Sequence, residues 1–233
     1  MIEIKNLYFG YEGNTILKDI SLTIKEAEFV AIIGANGTGK TTLIRHLNAL
    51  LEPTAGEVVV DGLDTRQHPT TVREKVGMLF QNPEDQLIHS IVEEDVAFGL
   101  ENQGVPPAEI QGRVKGVLER LNIKHLAKRN VNELSFGQKQ LTALAGVLVM
   151  RPKYIVFDEP ATMLDPKNRK AIMEQIAELN RKEKITILLV TNNLGDIKEN
   201  VQRVILLNEG RIFFDGPPKQ LSEDTLKEAD MDG

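Results

Sequence analysis

The stretch Phe29-Val30-Ala31-Ile32-Ile33-Gly34-Ala35-Asn36-Gly37-Thr38-Gly39-Lys40-Thr41-Thr42 decides the fold. Five apolar residues in succession, without polar alternation, read as a strand buried on both faces, as in the middle of a parallel sheet. Gly34 to Thr41 then match G-x-x-x-x-G-K-[ST] between that strand and a helix expected over about 40–50. Glycines let the loop curl until successive N–H groups point at phosphate oxygens, and the helix presents its positive end to the same anion. In that chemistry Lys40 reaches the outer phosphates and Thr41 offers a hydroxyl to Mg²⁺. The competing reading is a glycine-rich strand-to-helix turn.

Outward from this loop, strands are expected at 2–8, 20–24, 57–60 and 76–80, followed by helical periodicity from about 90 to 149, where Pro106-Pro107 opens one helix. Strands resume at 154–157, 185–190 and 204–207, with a helix over about 166–182 between the first two. Strands alternating with helices imply an α/β fold with a mostly parallel sheet covered on both faces.

The composition narrows the function. The chain has 233 residues, 41% hydrophobic and 27% charged, enough for one sizeable core. Lys+Arg 28 against Asp+Glu 34 gives a net charge of −6, a poor match to a phosphate backbone, so no nucleic-acid partner is expected. The absence of cysteine excludes disulfides, thiolate metal sites and thiol catalysis, and fits a cytoplasmic location. No apolar run approaches the ~20 residues needed to cross a bilayer, so a membrane would be reached through another protein.

Three further stretches carry chemistry. Tyr154-Ile155-Val156-Phe157-Asp158-Glu159 is an apolar strand running into paired carboxylates. Parallel strands deliver their C-terminal ends to the ligand crevice, which would place Asp158 by the Mg²⁺ and Glu159 by the attacking water. Leu134-Ser135-Phe136-Gly137-Gln138 has the Ser-x-x-Gln spacing of a capping box, and a capped helix N-terminus is also an anion site. Val190-Thr191-Asn192-Asn193-Leu194-Gly195-Asp196 ends a buried strand in two asparagines, which a strand-to-helix corner explains by capping alone.

Taken together and in order, the glycine loop, Gln81 ending a strand, LSFGQ, FDEP and Thr162-Met163-Leu164-Asp165 resemble the ATPase subunit of ATP-binding cassette (ABC) transporters over essentially the whole chain. The resemblance implies a P-loop NTPase core with an antiparallel β N-terminal subdomain and an inserted α-helical subdomain. It implies a single domain over 1–218 (core 1–87 and 150–218, helical insertion about 88–149) and a short acidic tail over 219–233. It also implies two cassettes paired head to tail, each ATP lying between one glycine loop and the other signature helix. Gly34, Ala35, Asn36, Gly37, Thr38, Gly39, Lys40, Thr41 and Thr42 would then bind nucleotide, with Tyr11 stacked on adenine. Thr41, Gln81 and Asp158 would hold Mg²⁺, Lys40 and Glu159 would act in catalysis, and Glu159 would be the base. Ser135, Phe136, Gly137 and Gln138 would act in trans, and Asp165 would communicate between the two sites. The simpler readings of Tyr11, Gln81 and Asp165 are packing, a turn and a helix N-cap.

Phe80 to Asn102, FQNPEDQLIHSIVEEDVAFGLEN, resembles most closely the energy-coupling-factor and cobalt-type ATPases, whose importers carry vitamins or transition metals. That resemblance implies a membrane coupling protein docked near Gln81 to Asn102, a separate membrane substrate-binding protein, and a place on the cytoplasmic face of the membrane. The sequence departs from the family at Asn192, where a histidine is usual, at Phe136, where glycine is usual, and at Leu141, where arginine is frequent. Asparagine is shorter than histidine and cannot become cationic. The expectation is therefore a heterodimer in which this chain supplies the degenerate site, with own-site hydrolysis impaired. The alternatives are a nucleotide-binding regulatory subunit with little turnover and a soluble ABC ATPase outside transport.

Overall fold

The computed structural model describes residues 1–197, 200–229 and 231. In chain order, β1 (Ile2–Tyr11), β2 (Asn14–Ile24) and β3 (Phe29–Ile33) lead into α1 (Lys40–Leu47). Then come β4 (Ala55–Val60), the short β5 (Leu63–Asp64), α2 (Pro69–Lys75) and β6 (Val76–Leu79). A helical block follows, made of α3 (Val92–Asn102), α4 (Pro107–Arg120) and α5 (Phe136–Leu148). The chain continues through β7 (Tyr154–Asp158), α6 (Pro166–Glu183), β8 (Thr186–Val190), β9 (Arg203–Asn208), β10 (Arg211–Gly216) and α7 (Glu223–Glu228).

The central sheet has the order β10-β9-β3-β8-β7-β6. Its neighbours pair in parallel from β9 to β6, and β10 alone runs antiparallel, against β9. All five residues of β3 are buried, and the strand's period of two sends them to different cores. Phe29, Ala31 and Ile33 join the core shared with α3, α4, α5 and α6, whereas Val30 and Ile32 join the one under the first hairpin and α1. A separate antiparallel sheet of order β2-β1-β4-β5 closes that second core. The expected fold class is therefore the one observed.

Element boundaries differ where side chains stop alternating between buried and exposed. The first hairpin reaches Tyr11 and restarts at Asn14, because Glu12 and Gly13 take φ of 47° and 88°, the left-handed pair that a two-residue hairpin turn requires. Register shifts at Leu7, Phe9 and Gly10 break the period of two in this outer half, although Leu17 is buried and Phe9 and Ile16 pack against the core. The helix after the glycine loop ends at Leu47 rather than Leu50. Elements β5, α2 and β10 were not expected. Only Val72 is buried in α2, and the alternating burial of the edge strand β10 is masked by the apolar run Ile212-Phe213-Phe214, so neither carries a readable apolar period. The acidic tail forms α7, capped by Ser222, after which Ala229 and Met231 pack into the larger core. The rest of that tail, Asp230, Asp232 and Gly233, lies outside the described residues.

Candidate functional site

Sheet order builds the site. Because β3, β8, β7 and β6 are adjacent and parallel, the segments leaving their C-terminal ends lie side by side along one edge. Those segments are the glycine loop after β3, Thr191-Asn192-Asn193 after β8, Asp158-Glu159 at the end of β7, and Gln81 two residues beyond β6.

Gly34 and Gly39 adopt φ of 153° and 100°, and a Cβ on Gly34 would stand 2.4 Å from the Leu207 carbonyl oxygen and 2.7 Å from Thr38 Oγ1. The loop therefore needs glycine at that position both for backbone conformation and for space. It wraps the Lys40 ammonium, which donates to the carbonyls of Gly34 (2.8 Å) and Ala35 (2.9 Å). Burial lowers the pKa of Lys40, and the Glu159 and Asp158 carboxylates oppose that shift. Helix α1 starts at Lys40 with no side chain capping it, leaving its first-turn N–H groups free for an anion.

Asp158 is 6% exposed, and burial, with Glu159 next to it, raises its pKa despite a hydrogen bond from Thr41 Oγ1 at 3.2 Å. A buried carboxylate touching a hydroxyl, with its charge incompletely compensated, fits the sparse oxygen set through which Mg²⁺ is held when phosphates supply the other ligands. Among the described residues no cluster of three or more His, Cys, Asp or Glu forms an all-protein metal cage.

Glu159 follows at φ 47°, its N–H bonded to the Val190 carbonyl at 3.0 Å, so the chain turns sharply and the side chain leaves the sheet edge. Three neutral donors hold the carboxylate. Asn192 Nδ2 donates to Oε1 at 2.8 Å, while Oε2 accepts from Thr162 Oγ1 at 3.0 Å and Gln81 Nε2 at 3.3 Å. The second Asn192 N–H goes to Asn36 Oδ1 in the glycine loop, at 2.7 Å. Asparagine at this position thus reaches both the carboxylate and the glycine loop. A carboxylate held this way, beside a lysine and a helix N-terminus, can take a proton from water attacking a bound phosphoryl group.

The remaining expected residues stand apart from this network. Ser135 and Gln138 form the complete capping box of α5, with Ser135 N–H to Gln138 Oε1 at 3.0 Å and Gln138 N–H to Ser135 Oγ at 3.4 Å. Phe136 is the first helical residue, where a side chain needs no special backbone angle, and Gly137 faces Leu164 and Asn168 next to the Asp165 turn. Leu141 packs against the larger core. Asp165 caps α6, accepting from Lys167 and Asn168 N–H at 3.0 and 3.2 Å, so the simpler reading accounts for its contacts within the chain. Tyr11 is 45% exposed and packs edge-on against Phe9, with its outer face open. Asn193 caps the short turn at Leu194–Asp196 through the Gly195 N–H, at 2.7 Å.

The ABC transporter family profile matches residues 17–162 of the chain. The chain belongs to that family. This cassette is 46% identical over 220 residues to a putative ABC transporter ATP-binding protein of Deinococcus radiodurans, covering 94% of this chain and 95% of that one. It is 47% identical to the cobalt import ATP-binding protein CbiO of Syntrophus aciditrophicus, over 94% of this chain and 79% of the relative. The energy-coupling factor transporter ATP-binding protein EcfA1 of Clostridium novyi is 43% identical, over 95% and 81%. Among solved structures, cbiO1 from Clostridium perfringens, part of the ABC transporter complex cbiONQ, superposes with a TM-score of 0.87 at 36% identity, covering 97% of this chain and 92% of that one. A dimeric ATP-binding cassette bound to ADP and Pi gives 0.83 at 29% identity, over 93% and 98%.

Sequence reasoning missed Thr162 as a donor to Glu159, although it opens the Thr162-Met163-Leu164-Asp165 stretch. It also missed the pair Arg169–Asp196 behind the asparagine loop. Those two residues are 27 positions apart and leave no local signature.

Proposed function

We propose that this chain is the ATP-binding and ATP-hydrolysing subunit of an energy-coupling-factor or cobalt-type importer, paired with a second, related cassette. The observation that supports this most is the meeting of Lys40, Asp158, Glu159, Gln81 and Asn192 at one sheet edge in a chain 43–47% identical to cobalt and energy-coupling-factor ATPases. In this reading Gly34 to Thr42 bind the phosphates, Tyr11 stacks on adenine, and Thr41, Asp158 and Gln81 hold Mg²⁺. Bound Mg²⁺ supplies charge neutralisation on the outer phosphates. Glu159 orients the attacking water and takes its proton, and Lys40 stabilises the charge gathering on the phosphoryl oxygens. Ser135 to Gln138 complete the partner's site and Asp165 carries the contact between sites.

Asn192 supports a heterodimer. It holds Glu159 but brings no cation to the γ-phosphate, so this chain's site turns over slowly and the related cassette carries the faster one. A nucleotide-binding regulatory subunit is the second reading, favoured by the same neutral asparagine and opposed by the retained Glu159. No helix of the described residues is long and apolar enough to cross a membrane. Attachment to the cytoplasmic face would run through a membrane coupling protein over Gln81 to Asn102, where Ile88 is 68% exposed and its N–H is fixed by Asp95 Oδ1 at 2.6 Å. A separate membrane protein would select the vitamin or metal. The test is MgATP turnover by the chain alone and with the related cassette added. Activation on mixing is expected; a pure homodimer with full activity, unaffected by the second cassette, overturns the heterodimer.

A further inference from the structure

We propose that Asp196 and Arg169 form a positioning pair that sets Asn192 against Glu159, an inference that rests on the hydrolytic reading above. Beyond Thr191, whose N–H still bonds the Ile32 carbonyl at 3.1 Å, the chain leaves the sheet and has no ladder to fix it. Side chains fix it instead. Thr191 Oγ1 accepts the Asn193 N–H at 3.1 Å and donates to Asp196 Oδ2 at 2.7 Å, so Asn192 is gripped on both sides.

Asp196 is itself held. It is 6% exposed, and its carboxylate takes a two-pronged contact from Arg169, Nε to Oδ1 at 3.0 Å and Nη2 to Oδ2 at 2.7 Å. Arg169 lies on α6, its N–H bonded to the Asp165 carbonyl at 2.8 Å, one turn from the residue that caps the helix. Unbroken contacts thus run from the Asp165 turn through Arg169, Asp196 and Thr191 to the carboxamide touching Glu159 and Asn36.

Apolar residues could close such a corner at no greater cost, because burying a charged pair carries a desolvation penalty. What they could not supply is direction. A guanidinium fork on a carboxylate fixes angle as well as distance. Direction matters more for asparagine than for a longer side chain, since its two N–H groups meet Glu159 and Asn36 only if the backbone is correctly placed. Arg169 and Asp196 are positioning residues: their contacts reach Glu159 only through Asn192.

The test is a double-mutant cycle read by kinetics and by NMR. Asp196→Asn keeps the shape and the acceptor for Thr191 but weakens the fork; Arg169→Lys does the same from the other side. Each is expected to lower kcat by about 10- to 100-fold with KM held within about twofold, the scale of a misplaced catalytic group. In an Asn192→Ala background, Asp196→Asn should cost nothing more, because the group it positions is gone. A pair that merely stabilises the fold would give losses that multiply in the double variant, which overturns the proposal. Independently of turnover, the Asn192 side-chain NH₂ resonances, identified by their loss in Asn192→Ala, should move in Asp196→Asn while those of Asn180, bonded to Ala27 and Ile185, stay in place. Unmoved Asn192 resonances overturn the proposal. If the wild-type assembly hydrolyses no ATP, the hydrolytic reading fails and the resonances still decide whether the pair sets Asn192.

Discussion

Asn192 and Glu159 meet side chain to side chain, carboxamide nitrogen to Oε1 at 2.8 Å, although they stand 33 positions apart in the chain. A neutral donor occupies the place beside the proposed base, and its other hydrogen is spent on Asn36. Reach to the carboxylate is therefore retained, and what asparagine lacks relative to histidine is positive charge.

Replacing Asn192 by histidine is expected to raise kcat at this site by about 10-fold or more, with MgATP affinity little changed, because a charged donor at the developing anion is worth more than a neutral one. Asn192→Ala should lower it further. Steady-state hydrolysis with parallel nucleotide-binding titrations checks both directions, and equal rates for all three proteins would remove Asn192 from the chemistry.

Asp158 gives a prediction of opposite sign for stability and function. Its pKa is raised, chiefly by burial, above the ordinary 3.8. The cost of keeping it ionised in the fold is absent at pH below that ordinary value and present in full above the raised one. Asp158→Asn should therefore raise the melting temperature of the nucleotide-free protein at neutral pH by a few degrees, a gain that disappears in acid. The same variant should lose Mg²⁺-dependent nucleotide binding.

The Ser135 capping box allows cap and trans functions to be separated. Ser135→Ala should cost about 1 kcal/mol of stability through the lost cap. Aspartate caps as well as serine does, so Ser135→Asp should melt within about 0.5 kcal/mol of wild type. It should nevertheless abolish ATP-driven pairing of cassettes, because a carboxylate would face the partner's phosphates. Thermal melts and size-exclusion chromatography with MgATP tell the two apart.

Ile88 is the exposed apolar residue offered by the segment after Gln81. Ile88→Asp should leave nucleotide binding by the isolated chain intact and stop its co-purification with the membrane coupling protein. Normal assembly in the variant would move the docking surface elsewhere.

Much of this was legible in the sequence because the decisive signals are local. Gly34 to Thr41, the Asp158-Glu159 pair and the Ser135-x-x-Gln138 box each depend on backbone geometry within a few residues, and all three form as their spacing implies. Asn193 as a cap was legible for the same reason. What escaped was nonlocal or weakly patterned. Asn36 meets Asn192 across 156 positions, and Arg169 meets Asp196 across 27, through side chains that the fold alone brings together. Strand β10 escaped because Ile212, Phe213 and Phe214 are apolar in succession, so its alternating burial leaves no alternating apolar pattern in the sequence.

The adjacency of β3, β8, β7 and β6 also bears on how such a site can change over evolutionary time. Each chemical group hangs from its own strand, and the strands are locked to one another by main-chain ladders that do not depend on side-chain identity. A substitution at the tip of β8 therefore alters one tool without shifting the register of the others. Two duplicated copies of such a cassette could diverge, one losing an active-site group at its leisure while both remain foldable and able to pair. Specialisation of subunits is, in this architecture, a short mutational step.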